Sequence, residues 1–162
     1  IKNYDTVINC IAHTQSYSLN QAIHRDINYR FAVSVSNICN NNSAKLIHIS
    51  TEFVYAKNEI PPTEEDIPLP DNTWYAYTKL LADEYIQLCN FNYLICRGLH
   101  KPHPFPHQKE LINKKANGVF NIGTGDKYLA DLAPFSTLIP APSHVPWDTR
   151  MNLTKLNNFL KK

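Results

Sequence analysis

The sequence predicts an α/β fold, a doubly wound parallel sheet with helices on both faces. Three short apolar runs, in residues 5–12, 45–51 and 91–96, have the length and bulk of buried strands. Two helical patterns alternate with them, and strand, helix, strand, helix, strand is the rhythm of βαβ units. The composition agrees: 162 residues with 43% hydrophobic and 19% charged side chains suit one packed core rather than a disordered tail or a fibre.

The first strand is read from Asp5-Thr-Val-Ile-Asn-Cys-Ile-Ala12, an apolar run expected to be buried on both faces. A helix follows over about residues 28–39, with Ile27, Phe31, Ala32, Val35 and Ile38 at 3–4 spacing on its packed side, and the run Asn40–Asn42 ends it. Lys45-Leu-Ile-His-Ile-Ser50, continuing through Thr51, is the second strand. Residues 56–72 hold four of the eleven prolines among acidic and polar side chains and read as a surface loop. Helical periodicity resumes near Trp74, with Tyr77, Leu80, Leu81 and Tyr85 as its apolar flank, and Phe91–Cys96 is the third strand.

Beyond residue 100 the rhythm weakens. Three prolines within His100–His107 remove backbone donors and fix φ, which excludes regular helix and central strand. A short polar helix over Gln108–Ala116, a small strand at Val119–Ile122 and a last helix over Leu153–Leu160 capped by Asn152 complete the reading. The sequence accordingly divides into a core, residues 1–100, and a second part, residues 101–162.

Several functions are disfavoured by composition. A net charge of +2 gives no reason to expect nucleic acid or an anionic membrane as partner. No stretch approaches the roughly 18–20 apolar residues of a membrane span, and the first residues carry no signal-peptide pattern. Cys10, Cys39, Cys89 and Cys96 form no CxxC pair and are read as reduced, mostly core thiols of a cytoplasmic protein. His100, His103 and His107 lie among prolines, as in a solvated loop, and no metal is expected.

Chemistry points to one helix. Tyr75 and Lys79 are the only Tyr-x-x-x-Lys pair, and four-residue spacing puts both on one face. A phenol of ordinary pKa about 10 is a weak acid–base group at pH 7, and a nearby ammonium favours its phenolate. Ser50 and Thr51 close a buried strand, where a hydroxyl can hold a carbonyl beside the phenol. Such a group at the carboxyl ends of sheet strands suits hydride transfer at a C–O carbon. Spacing alone also permits a plainer arrangement, with Tyr75 half-buried and Lys79 in solvent.

Three ordered segments carry a resemblance: LIHISTEFVY (residues 46–55), EEDIPLPDNTWYAYTKLLADE (64–84) and YLICRGL (93–99). With VINCIAHT (7–14) and Asp26-Ile-Asn28, they resemble the extended short-chain dehydrogenase/reductases over about residues 5–100. Within that family they are most similar to the nucleotide-sugar 4-ketoreductases of the dTDP-4-dehydrorhamnose reductase group. The resemblance implies a Rossmann-like sheet, NADPH or NADH as cofactor, a nucleotide-sugar substrate, and a homodimer as one possible assembly. It implies that Tyr75 is the general acid at the C4 oxygen, that Lys79 holds the nicotinamide ribose and lowers the phenol's pKa, and that Thr51 donates to the carbonyl. Cys10, Ile11, Ala12 and Leu99 would line the cofactor, Thr51, Glu52 and His100 would meet the sugar, and Asn28 would support a proton-relay water.

One segment separates the chemistries on this scaffold. The 4,6-dehydratases carry Thr-Asp-Glu-Val-Tyr where this chain has Thr51-Glu52-Phe53-Val54-Tyr55, and Phe53 cannot do the second carboxylate's proton work. The reductases' Thr-Asp-Tyr-Val-Phe is closer, and epimerases place a small residue at the Glu52 position. The expected activity is therefore reduction of the 4-keto group of a nucleotide-linked 6-deoxy-hexulose. The alternatives are an epimerase of the same family and a non-catalytic cofactor-binding regulatory subunit.

The chain also departs from the family. It opens at what resembles the fourth strand, and the glycine-rich phosphate loop has no counterpart among its four glycines. Little sequence separates Arg97 from Asn121-Ile-Gly123, where the family has far more. The complete polypeptide is therefore expected to be longer, with further residues before Ile1 and near His100–Gln108. The second part would then hold remnants of a small substrate-binding region and the C-terminal helix.

Overall fold

A computed structural model describes residues 4–98, 106–123, 125, 148 and 150–162. Four parallel strands lie side by side in chain order: β1 (Thr6–Asn9), β2 (Lys45–Thr51), β3 (Tyr93–Gly98) and β4 (Gly118–Asn121). The register pairs Val7 with Leu46, Ile47 with Leu94, and Cys96 with Phe120. Helices α1 (Gln21–His24) and α2 (Phe31–Asn41) follow β1, joined by a π-helical turn at Arg25–Arg30. A 3₁₀ turn (Glu52–Tyr55) and α3 (Trp74–Cys89) follow β2, α4 (Pro106–Asn113) precedes β4, and α5 (Thr154–Leu160) comes last.

Strand alternation divides the core into two layers. Leu46, Ile95 and Val119 face one way and pack with Val35, Cys39 and Ala44 at α2 and with Ile86 of α3. Ile47, Leu94, Cys96 and Phe120 face the other way and pack with Leu111 of α4 and Leu156 of α5. Both faces are therefore covered, as the doubly wound expectation requires.

Local sequence explains the helix starts. Thr73 Oγ1 accepts from Ala76 N at 3.1 Å, capping α3 before Trp74. Asn20 Oδ1 accepts from Ile23 N at 3.2 Å and caps α1. Asn152 Oδ1 accepts from Thr154 N at 2.8 Å just before α5, although the helix starts at Thr154 and its N-cap position is Leu153 rather than the expected Asn152.

Four expectations need correction. β1 is not buried on both faces: Ile8 is half exposed and only Asn9 is buried, because β1 is the edge strand of this sheet with β2 on one side. The helix after β1 starts earlier and buries His24, Asn28, Ala32, Val35, Ser36 and Cys39, while Phe31 and Ile38 face outward. The inner face of α3 is Tyr75, Ala76, Thr78, Lys79, Ala82, Asp83 and Ile86, leaving Tyr77 exposed. Both rotations have one cause: polar side chains that find buried partners compete with apolar ones for the inner face. Of the four free cysteines, Cys39 and Cys96 are core thiols, whereas Cys10 and Cys89 are exposed. Among the described residues no helix is long and apolar enough to cross a membrane.

Candidate active site

The carboxyl ends of β1 and β2 and the first turns of α3 converge on one place. Thr51 ends β2 in extended conformation, and its Oγ1 donates to Glu52 Oε2 at 2.9 Å while accepting from Phe53 N at 3.3 Å. That local pair starts the 3₁₀ turn and buries the Glu52 carboxylate. Thr51 also lies beside the Tyr75 phenol, where its side chain acts to lower the phenol's pKa. The Tyr75 ring stands edge-on to Phe53, centroids 5.4 Å apart, with the His24 ring 6.4 Å away on the opposite helix.

Enclosure sets the chemistry of the phenol. Burial pushes Tyr75 up to about 12, the Thr51 side chain pulls the other way, and the Glu52 and Asp83 carboxylates add to the rise. Here the sequence expectation and the structure differ, since an ammonium at four-residue spacing should lower a phenol. The Lys79 head is turned instead to the sheet, where Nζ donates to the Ile49 carbonyl at 2.6 Å and lies 3.2 Å from His48 Nε2. Burial brings Lys79 down to about 8, with Asp83 and Cys10 acting against the fall. Lys79 is 1% exposed, which removes the plainer arrangement with its head in solvent.

Asn28 lies in the π-helical turn, a feature that often marks functional positions. Its amide reads the His13 backbone in both directions, accepting from His13 N at 2.7 Å and donating to His13 O at 3.3 Å. Nδ2 also lies 3.4 Å from Thr78 Oγ1 and 3.2 Å from His24 Nδ1. The residue thereby fastens the segment after β1 to α3, and protein groups already engage its amide. That segment presents Cys10 and Ile11 to solvent and leaves Ala12 half-buried. Leu99 and His100, expected at the cofactor and sugar, lie outside the described residues, as does His103. Among the described residues no group of three or more His, Cys, Asp and Glu side chains is placed to hold a metal ion.

Sequence reasoning missed the buried polar cluster behind this site. Asp83 Oδ2 accepts from Ser50 Oγ at 2.8 Å and from Arg97 Nε at 3.0 Å. Arg97 Nη1 donates to the Tyr55 hydroxyl, which donates to the Thr63 carbonyl at 3.1 Å. Asn9 Nδ2 meets His48 Nδ1 at 3.1 Å. The signal was available: Asp83 is four residues past Lys79 on the helix, and His48 and Ser50 alternate on one strand face.

The comparisons with known proteins agree with this architecture. Residues 2–99 match the family model described as RmlD substrate binding domain. No curated protein matches the chain. Among solved structures, a hypothetical dTDP-4-dehydrorhamnose reductase from Sulfolobus tokodaii is similar at TM-score 0.77 and 16% identity, over 95% of this chain and 73% of that one. The Bordetella bronchiseptica enzyme WbmG in complex with NAD is similar at TM-score 0.77 and 12% identity, over 97% of this chain and 66% of that one. The dTDP-4-dehydrorhamnose reductase from Bacillus anthracis in complex with NADP is similar at TM-score 0.64 and 18% identity, over 73% of this chain and 55% of that one. The chain thus spans about half the length of that last enzyme. With a parallel sheet, a Tyr75/Lys79 helix behind Thr51, and a family model matched over most of its length, the chain belongs to the RmlD substrate-binding domain family.

Proposed function

We propose that the protein carrying this chain is an NAD(P)H-dependent ketoreductase acting on the 4-keto group of a nucleotide-linked 6-deoxy-hexulose, of the dTDP- or UDP-4-dehydrorhamnose type. The observation that carries this reading is the enclosed Tyr75 phenol, beside Thr51 at the carboxyl end of β2 and one helical turn from the buried Lys79. A phenol pushed up to about 12 is protonated at neutral pH and is therefore an acid, the form that reduction of a ketone needs.

The residues present fit a dinucleotide cofactor: β1 ends in Asn9 and delivers exposed Cys10 and Ile11 and half-buried Ala12 to the same end of the sheet as Tyr75 and Lys79. Bound NADPH or NADH would supply the hydride. Cys10, Ile11, Ala12, Tyr75, Lys79 and Leu99 are assigned to hold it. Thr51, Glu52 and His100 are assigned to the sugar, with the Thr51 hydroxyl holding the carbonyl oxygen. The Tyr75 O–H bond breaks as that oxygen gains its proton, and the phenolate left behind regains a proton from solvent. Phe53 and His24 border the phenol and hold its ring in place.

The test is incubation of the full-length polypeptide with NADPH or NADH and a dTDP- or UDP-linked 4-keto-6-deoxyhexose. Oxidation of the nicotinamide with formation of the 4-hydroxy sugar is expected. Stereochemical inversion without net nicotinamide oxidation would make it an epimerase, and cofactor binding without turnover would make it a regulatory subunit.

A further inference from the structure

We propose that His48 is a positioning residue that, as its Nε2–H tautomer, links Lys79 to Asn9 and through Asn9 to the Cys10–Ala12 segment. The proposal rests on the reading of Lys79 given above, and its chemistry follows from hydrogen-bond bookkeeping in a closed cluster. His48 is 1% exposed, and both ring nitrogens face protein groups.

The tautomer is fixed from outside the ring. Ile11 N–H donates to Asn9 Oδ1 at 3.1 Å, so the amide oxygen of Asn9 faces the chain after β1 and its nitrogen faces the ring. An amide nitrogen only donates, so Nδ1 accepts at 3.1 Å and carries no proton. A neutral imidazole then bears its hydrogen on Nε2. Asp83 Oδ1, a buried carboxylate oxygen with no hydrogen-bond partner, lies 3.9 Å from Nε2, beyond hydrogen-bond distance but near enough to favour a proton there. A protonated ring is disfavoured: burial, and then Lys79, hold His48 well below the ordinary histidine value.

The lysine is caught by the same arrangement. Its Nζ is 3.2 Å from Nε2 and 2.6 Å from the Ile49 carbonyl, so two consecutive residues of β2 define where the head group sits. An Nε2–H offers no acceptor to an ammonium proton but donates to the amine lone pair, so the contact works with burial toward the amine form of Lys79 and closes as a hydrogen bond in that form. The charged and titratable groups around the pair are Asp83 on α3, Arg97 of β3 on its other carboxylate oxygen, and Cys10 after β1. Lys79 cannot shift toward the cofactor side without disturbing His48, and the Asn9 amide transmits that to the segment assigned to the cofactor.

Two measurements on the full-length protein test this. Nitrogen-15 NMR of the imidazole rings at neutral pH, with His48 identified by the signals lost in His48→Gln, should show a protonated Nε2 and an unprotonated Nδ1. An Nδ1–H tautomer or an imidazolium overturns the arrangement, whatever the protein catalyses. In kinetics, His48→Leu should lower kcat/KM at least tenfold and move its alkaline limb to higher pH, whereas His48→Gln, with an amide that can reach both neighbours, should stay within threefold of the parent. A His48→Leu protein that folds and keeps both the rate and the limb overturns the proposal. Should that variant fail to fold, the NMR result and the His48→Gln rate decide it. Absence of reductase activity in the parent protein would refute the functional reading and leave the ring assignment to stand or fall on the NMR.

Discussion

Lys79 and Asp83 stand one turn apart on the inner face of α3 and anchor the helix to the sheet, Lys79 at β2 and Asp83 at both β2 and β3. Lys79 reaches the Ile49 carbonyl of β2 at 2.6 Å, and Asp83 takes the Arg97 guanidinium of β3 at 3.0 Å and the Ser50 hydroxyl at 2.8 Å. Two charged residues thus occupy positions that an ordinary amphipathic helix gives to leucine. Fixing Lys79 on one side and Asp83 on the other fixes the axial rotation of α3, and with it the direction of Tyr75.

Replacement of Tyr75 by Phe removes only the hydroxyl from a pocket formed by Phe53 and His24. The variant should fold and bind NAD(P)H like the parent, with turnover reduced by roughly 10²–10⁴, the scale of lost general acid catalysis. Steady-state kinetics and a cofactor titration on the full-length protein check both halves. Activity within threefold of the parent would refute Tyr75 as the acid.

The Asp83–Arg97 pair is buried at both ends, at 0% and 2% side-chain exposure. Arg97→Met should strand the Asp83 carboxylate in the core and cost about 3–5 kcal/mol, while the double variant Asp83→Leu/Arg97→Met should lose less than the single one. Urea unfolding gives both numbers. A double variant less stable than Arg97→Met would show that the hydrogen bonds to Ser50 and Tyr55 outweigh the stranded charge.

Acid should loosen the fold before its carboxylates titrate. His48 is held well below 6.5 in the folded state by burial and by Lys79, so below that pH the unfolded chain binds a proton that the native protein does not. The contribution is therefore present above about pH 6.5 and lost as pH falls, by at most about 1.4 kcal/mol per pH unit for the one group. Unfolding free energies between about pH 7.5 and pH 5.5 should decline in the parent and decline less in His48→Gln. Parallel slopes would show that His48 does not carry the effect.

Gly98 ends β3 against β4's continuation. A Cβ added there would lie 3.0 Å from Ile122 Cγ1 and 3.2 Å from its Cδ1. Gly98→Ala should cost about 1–3 kcal/mol by overpacking, and Ile122→Val in the same chain should recover part of it, because Cδ1, one of the two crowding atoms, is removed. Thermal unfolding of the two variants checks the sign of the rescue.

The sequence by itself determined the layer architecture and the placement of Tyr75 and Lys79 on one helix face. The strand at 45–51 lies where its apolar run demanded it, since a strand buried on both faces has little choice of side chain, and the third strand, expected over 91–96, is shifted by two residues to Tyr93–Gly98. The Tyr75/Lys79 spacing by itself puts both on one helix face, because 3.6 residues per turn brings positions i and i+4 together. Only the tertiary structure decided which face of each helix turned inward and what the titratable groups experienced. Apolar periodicity favoured Tyr77 and Phe31, but the pairing of Asp83 with Arg97 and the bridging of His13 by Asn28 outweighed it. Such partners are far apart in sequence and leave no local periodic signal. The phenol's rise and the lysine's fall have the same origin, because burial depends on what the rest of the chain places around a group, and no spacing rule contains that information.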